Sequence, residues 1–194
     1  SNYRDKWLGH ESFAPIYQEL NRRKAVVYTH PKDSACCREI IPGLSDTTIE
    51  YGTDTTRTIA SLIFSGTAQR CPDINFIFSH GGGTIGALTD RFLVQVVSMP
   101  AYKQRGFTSE RVLKELRSFY YDTAQAANPM AMAALSRLVP VSQIVFGTDY
   151  PYRRAEEHVK GLAGIFNSDE LRAIDAGNAH RIMPQLKQIQ VTRS

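Results

Sequence analysis

Three short apolar runs each end in a side chain that can bind a metal ion or carry a proton: Ala25-Val-Val-Tyr-Thr-His30-Pro31, Phe76-Ile-Phe-Ser-His80-Gly-Gly-Gly83 and Ile144-Val-Phe-Gly-Thr-Asp149-Tyr-Pro151. A neutral imidazole is a good ligand for a divalent metal, and a carboxylate can ligate a metal or transfer a proton. Each residue also has a plainer reading. His30 could simply follow a strand, His80 could sit in a tight glycine turn, and Asp149 could form a turn before Pro151. Two histidines and an aspartate at three such positions favour a shared catalytic or metal site.

Elements must hold those side chains together. Each run is short and rich in Val, Ile and Phe, as a strand buried on both faces is, and the polar residue falls where the strand stops. The chain reads as four strand-then-helix units, with strands over 25–29, 74–79, 118–122 and 143–147. The helices are placed at 11–23 (Phe13, Ile16, Tyr17 and Leu20 inward), from a cap at Asp54 to just before Cys71, at 84–97, at 109–117 and from Asn128-Pro129. A further helix after Asp149 turns Val159, Leu162, Ala163 and Phe166 inward and leaves His158 on its polar side. Short helices start at Ser168 and Asn178. Residues 32–50 read as a long irregular loop of the kind that covers active sites. Strands alternating with helices imply a parallel sheet, either a small doubly wound sheet or part of a (β/α)8 barrel. In both, ligands gather at the carboxyl ends of the strands.

Composition narrows the function classes. The 194 residues are 42% hydrophobic and 22% charged, enough for a buried core in one domain spanning 1–194, with 187–194 as a frayed tail. The net charge of +4 is spread without a basic stripe, which argues against a nucleic-acid partner. No apolar run reaches the roughly 20 residues of a membrane helix, and the first residues are polar rather than a secretory leader. Cys36, Cys37 and Cys71 form no C-x-x-C pair, so a thiolate metal site is not expected, and the odd count points to a reducing, cytoplasmic compartment. Arg91, on the helix opened by His80-Gly-Gly-Gly, is a candidate for a substrate carboxylate, although a surface ion pair would explain it equally well. Asp122, in Tyr-Tyr-Asp-Thr-Ala, could line the site or support it from behind. His10, His158 and His180 read as structural or surface residues.

Taken in order, Tyr-Thr-His30-Pro, Phe-Ser-His80-Gly-Gly-Gly, Phe-Tyr-Tyr-Asp122-Thr-Ala and Phe-Gly-Thr-Asp149-Tyr-Pro-Tyr resemble the amidohydrolase superfamily. The nearest branch is the aminocarboxymuconate-semialdehyde decarboxylase-like group (amidohydrolase 2), which also holds γ-resorcylate, 5-carboxyvanillate and 6-methylsalicylate decarboxylases. The resemblance runs from Leu8-Gly9 to Asn178-Ala-His-Arg-Ile182. It implies an α/β fold of the TIM (β/α)8-barrel metal-dependent hydrolase type, of which this chain covers about the last four β/α units. It also implies His30 and Asp149 as metal ligands, His80 beside the metal water or substrate, and Asp149 as a proton carrier. Arg91 aligns with an arginine near the substrate carboxylate, and the metal is usually zinc, sometimes manganese.

One departure from the family pattern is the absence of its first metal motif, His-x-His or Glu-x-His. The chain is therefore expected to lack an amino-terminal half or to pair with another copy as a homo-oligomer. The leading functional expectation is a metal-dependent non-oxidative decarboxylase of a small aromatic or dienoic carboxylic acid. The alternatives are a metal-dependent hydrolase of a lactone or amide, and a catalytically inactive fragment or assembly module.

Overall fold

The computed structural model describes residues 2–4 and 6–188. Strands β1 (Asn2–Tyr3) and β2 (Lys6–Trp7) form a small hairpin ahead of helix α1 (Ala14–Arg22). The main sheet then lays down β3 (Val26–Thr29), β4 (Asn75–Phe78), β5 (Tyr120–Asp122) and β6 (Ile144–Val145) side by side in chain order, all parallel. A doubly wound sheet reverses its strand order at a switch point, whereas a barrel adds each strand beside the last. The unreversed order therefore selects the barrel, and four strands are half of one. On the tail expected at 187–194, Lys187 and Gln188 close a turn over Pro184–Gln188, and 189–194 lie outside the described residues.

Register decides what each face of the sheet does. Val27 pairs with Phe76, Phe78 with Tyr121 and Tyr121 with Ile144, placing these side chains on the face toward the helices. There they meet Ile59, Leu62 and Ile63 of α2 (Glu50–Phe64), Ile85 of α4 (Ile85–Asp90) and Leu116 of α6 (Ser109–Ser118). Leu135 of α7 (Pro129–Leu138) and Leu162 of α8 (Ala155–Ala163) complete this layer of one core. The opposite face carries Ile77, Tyr120 and Val145, packed with Val26 and with Ile182 of α10 (Asn178–Ile182). Tyr28, on that same face, is 53% exposed.

Several elements differ from the sequence reading, each for a local reason. Asp54 does not cap α2. It lies inside the helix, 1% exposed, and accepts hydrogen bonds from the Trp7 indole (3.2 Å) and the Lys32 backbone N–H (3.2 Å). α2 therefore starts earlier, and it stops at Ser65 because Gly66 takes φ +82° before α3 (Thr67–Arg70). The helix expected over 84–97 is α4 followed by a wider π-type turn, Arg91–Val96. Ile16 is exposed, leaving Tyr17 as the buried residue of α1. On α8 the inward residues are His158 and Leu162, four apart, while Val159 and Ala163 face outward. A histidine whose two ring nitrogens both find partners can occupy an inward position that periodicity assigns to an aliphatic.

The glycine run after β4 lets α2 approach the site. Gly83 has φ +66°, and a Cβ there would fall 2.0 Å from the Gly52 carbonyl oxygen, while the Thr84 N–H donates to Thr56 Oγ1 at 2.9 Å. Gly83→Ala must move α2 away from the strand ends. Urea titration should show a loss of about 2–4 kcal/mol, the range expected for a strained backbone combined with a backbone clash. A loss below about 0.5 kcal/mol, the ordinary surface range, would contradict this packing.

Candidate metal centre

His30 follows β3 directly, His80 comes two residues after β4, and Asp149 comes four residues after β6, so all three stand at the carboxyl end of the sheet. Their ligand atoms lie within 4.8 Å of one another. His30 Nε2 is 3.4 Å from Asp149 Oδ1, His80 Nε2 is 3.6 Å from Asp149 Oδ2, and the two imidazole centroids are 5.1 Å apart. Nδ1 of His30 is 2.9 Å from the Pro31 carbonyl oxygen, which can only accept. The proton therefore sits on Nδ1 and the Nε2 lone pair faces the site, the arrangement that a metal-ligating histidine adopts.

Electrostatics favour the same use. Burial lowers the His80 pKa, helped by His30 and opposed by Asp149, so the ring is held neutral. Its Nε2 is buried with no hydrogen-bond partner among the described residues, and a lone pair so placed suits a metal ligand or a donor group of a substrate. Burial alone would raise the Asp149 carboxyl. The Gln125 amide and the two histidines outweigh that effect and hold it below the usual carboxylate value. Two imidazoles with Nε2 toward the site and an ionised carboxylate are a suitable donor set for a divalent ion.

Behind these residues stands Asp122, 2% exposed. Its Oδ1 accepts the backbone N–H of His80 (2.8 Å) and of Ala124 (3.0 Å), and its Oδ2 accepts the Tyr28 hydroxyl (2.7 Å). His80, Gln125 and Asp149 all have positive φ (+56°, +55° and +65°), a conformation that L-residues avoid and that gathers at functional sites. The cleft above them has a volume of about 920 Å³ and is walled by Tyr51, Ile49 and Tyr152. Arg91 is exposed and outside the lining of this cleft, so the structure brings His30, His80 and Asp149 together but not Arg91. Among the described residues no lysine or arginine lines the cleft. Gln125, which does line it, went unnoticed in the sequence. Its one signal was its place three residues past the end of β5.

A segment of parallel barrel with a histidine–carboxylate cluster at its strand ends defines the class of metal-site α/β-barrel proteins. The amidohydrolase family model matches residues 2–184, and the chain belongs to that family. It is 34% identical over 196 residues to a 6-methylsalicylic acid decarboxylase of Aspergillus aculeatus, covering 95% of this chain and 58% of that protein. It is 32% identical over 194 residues to the 6-methylsalicylic acid decarboxylase of Penicillium expansum, covering 97% and 58%. Among solved structures, the 5-carboxyvanillate decarboxylase of Novosphingobium aromaticivorans, in complex with manganese and 4-hydroxy-3-methoxy-5-nitrobenzoic acid, superposes with a TM-score of 0.78. That match has 20% identity and covers 95% of this chain and 55% of that one. The chain thus spans about half the length of the curated relatives it matches, and the expected barrel fold and family are borne out.

Asp122 gives a test of the framework. Burial raises its carboxyl from 3.8 to about 6, against the hydrogen bonds from Tyr28, Ala124 and His80. A group that holds its proton more tightly when folded makes the native state the richer in protons between about pH 4 and 6, so stability falls as pH rises through that window and levels off above it. Measured against Asp122→Asn by urea unfolding, the native chain should lose as much as about 3 kcal/mol between pH 4 and 7. Parallel curves for the two proteins would contradict the buried-carboxyl reading.

Proposed function

We propose that this chain is part of a metal-dependent, non-oxidative decarboxylase of a small aromatic carboxylic acid. The observation that carries the reading is the convergence of His30, His80 and Asp149 ligand atoms within 4.8 Å at the strand ends of an amidohydrolase-family chain. The names of the relatives, which act on 6-methylsalicylic acid, and the manganese and nitrobenzoic acid in the 5-carboxyvanillate enzyme support it. His30 and Asp149 would hold the ion, with the neutral His80 beside them, and zinc or manganese suits this donor set. When bound, such an ion supplies Lewis-acid attraction for a carboxylate and an adjacent oxygen.

The chain's own residues do the rest. Tyr51, whose ring stands edge-on to His30 with centroids 6.0 Å apart, gives a planar substrate an aromatic wall. In the reaction the bond from the ring carbon to the carboxylate breaks, its electron pair stays on the ring carbon and takes a proton, and carbon dioxide leaves. Asp149, ionised at rest, would take a proton from water and pass it to that ring carbon, which returns it to the carboxylate form. His80, held neutral, polarises without adding a charge that would trap the substrate. Arg91 is not at the cleft, so this reading takes the countercharge for the substrate carboxylate from the ion and from the remaining barrel. The same remainder would cover the outer edges of β3 and β6 and the half-exposed Tyr28.

The test uses a protein that carries this chain together with the missing strands, loaded with manganese or zinc and offered salicylate-type and muconate-type acids. Carbon dioxide release is expected, and Asp149→Asn should lower kcat by about 10²–10⁴-fold, the usual weight of a proton-transfer group. No carbon dioxide from any acid, or a variant as fast as the native enzyme, would overturn the reading. Hydrolysis of a lactone panel without carbon dioxide would replace it with a hydrolase.

A further inference from the structure

We propose that Gln125 and His158 act as a positioning pair that sets the carboxylate of Asp149, an inference that rests on the metal-site reading above. His158 lies on α8, 2% exposed, and its two ring nitrogens meet opposite partners. Nε2 is 3.1 Å from the backbone nitrogen of Gln125, and Nδ1 is 3.1 Å from the carbonyl oxygen of Arg154. A backbone N–H can only donate and a carbonyl can only accept. The proton must therefore be on Nδ1, and Nε2 accepts from Gln125.

That bond holds Gln125 in its left-handed conformation, φ +55°, which a non-glycine residue keeps only where its surroundings enforce it. α8 presses on the same loop through Gly161, where a Cβ would come within 2.2 Å of the Ala127 carbonyl oxygen. Held in this way, the Gln125 side chain reaches into the site, and its amide Nε2 donates to Asp149 Oδ2 at 2.9 Å. The terminal torsion of an aspartate is otherwise soft and roughly two-fold, so this donor fixes the plane of the carboxylate. Oδ1 is thereby kept toward His30 and Oδ2 toward His80. The chain from Asp149 leads into α8, so the contacts close a loop from Asp149 through His158 and Gln125 back to Asp149. Gln125 and His158 contribute no metal ligand. They act through Asp149.

The test measures Mn2+ affinity of this chain by the EPR signal of the unbound ion, with circular dichroism to confirm folding. Gln125→Met keeps the length and loses the donor, and His158→Leu keeps bulk and loses the acceptor. Each should weaken Mn2+ by about 10–100-fold, the usual cost of losing support behind a ligand. The double variant should bind no more weakly than the weaker single one, because both substitutions cut the same chain of contacts. His158→Gln, which restores an acceptor, should recover most of the affinity. A second readout needs no metal: the Gln125 backbone amide should exchange slowly with solvent in the native chain and in His158→Gln, and fast in His158→Leu. Native affinity in either single variant, or losses that multiply in the double, would overturn the proposal. If the native chain binds no Mn2+, the metal reading fails by itself. The pair then stands if the exchange pattern holds and falls if the native amide is unprotected.

Discussion

The carboxylate of Asp122 is the contact on which the site depends. It is buried at the end of β5 and touches something from every strand of the sheet. The Tyr28 hydroxyl comes from β3, the His80 N–H from the turn after β4, and the Ala124 N–H from its own strand's exit. Gly147, on the exit of β6, lies so close that a Cβ would be 2.8 Å from Asp122 Oδ2. Parallel strands end in loops with no ladder to hold them, and loop ends are where backbone groups lose their partners. One buried acceptor with two oxygens supplies backbone partners at the exits of β4 and β5, takes a side-chain hydroxyl from β3, and leaves room only for glycine at the exit of β6.

That arrangement explains why the strain is located where it is. His80, Gln125 and Asp149 each sit in left-handed backbone, at a cost of roughly 1–2 kcal/mol apiece. Each is held by a named hydrogen bond. Asp122 takes the His80 N–H, His158 takes the Gln125 N–H, and the Asp149 carbonyl accepts the Tyr152 N–H at 2.9 Å. Strain enforced by surrounding contacts turns side chains toward a common point that relaxed loops would not reach. The point so defined has two imidazole nitrogens and a carboxylate around it, and the Nε2 of His80 is buried and without a hydrogen-bond partner among the described residues.

What the sequence revealed and what it hid follow from the same physics. Barrel strands are apolar on both faces, so they appear as continuous hydrophobic runs, and the polar residue ending each run is at the ligand-facing end by construction. His30, His80 and Asp149 were legible for that reason, and the order of the units carried the family. The support behind them was not. A buried carboxylate such as Asp122 has the same letters around it as a turn aspartate, and its worth lies in partners from other strands. His158 was hidden because helical periodicity counts histidine as polar, although Leu162 four residues on marks its face as inward. Arg91 stands apart from the cleft of this chain for a geometric reason. The helix that leaves the site climbs about 1.5 Å per residue, so from Ile85 to Arg91 it carries the guanidinium's backbone roughly 9 Å away from the strand ends.

The central claim is that His30 and Asp149 hold one divalent ion, with His80 facing it. Anomalous diffraction from crystals of this chain equilibrated with manganese or zinc tests it most directly. The account predicts a single strong peak bonded to His30 Nε2 and an oxygen of Asp149, about 2.0–2.2 Å from each for zinc, with His80 Nε2 facing it. Featureless density between those three residues, with the ion elsewhere or nowhere, would contradict it.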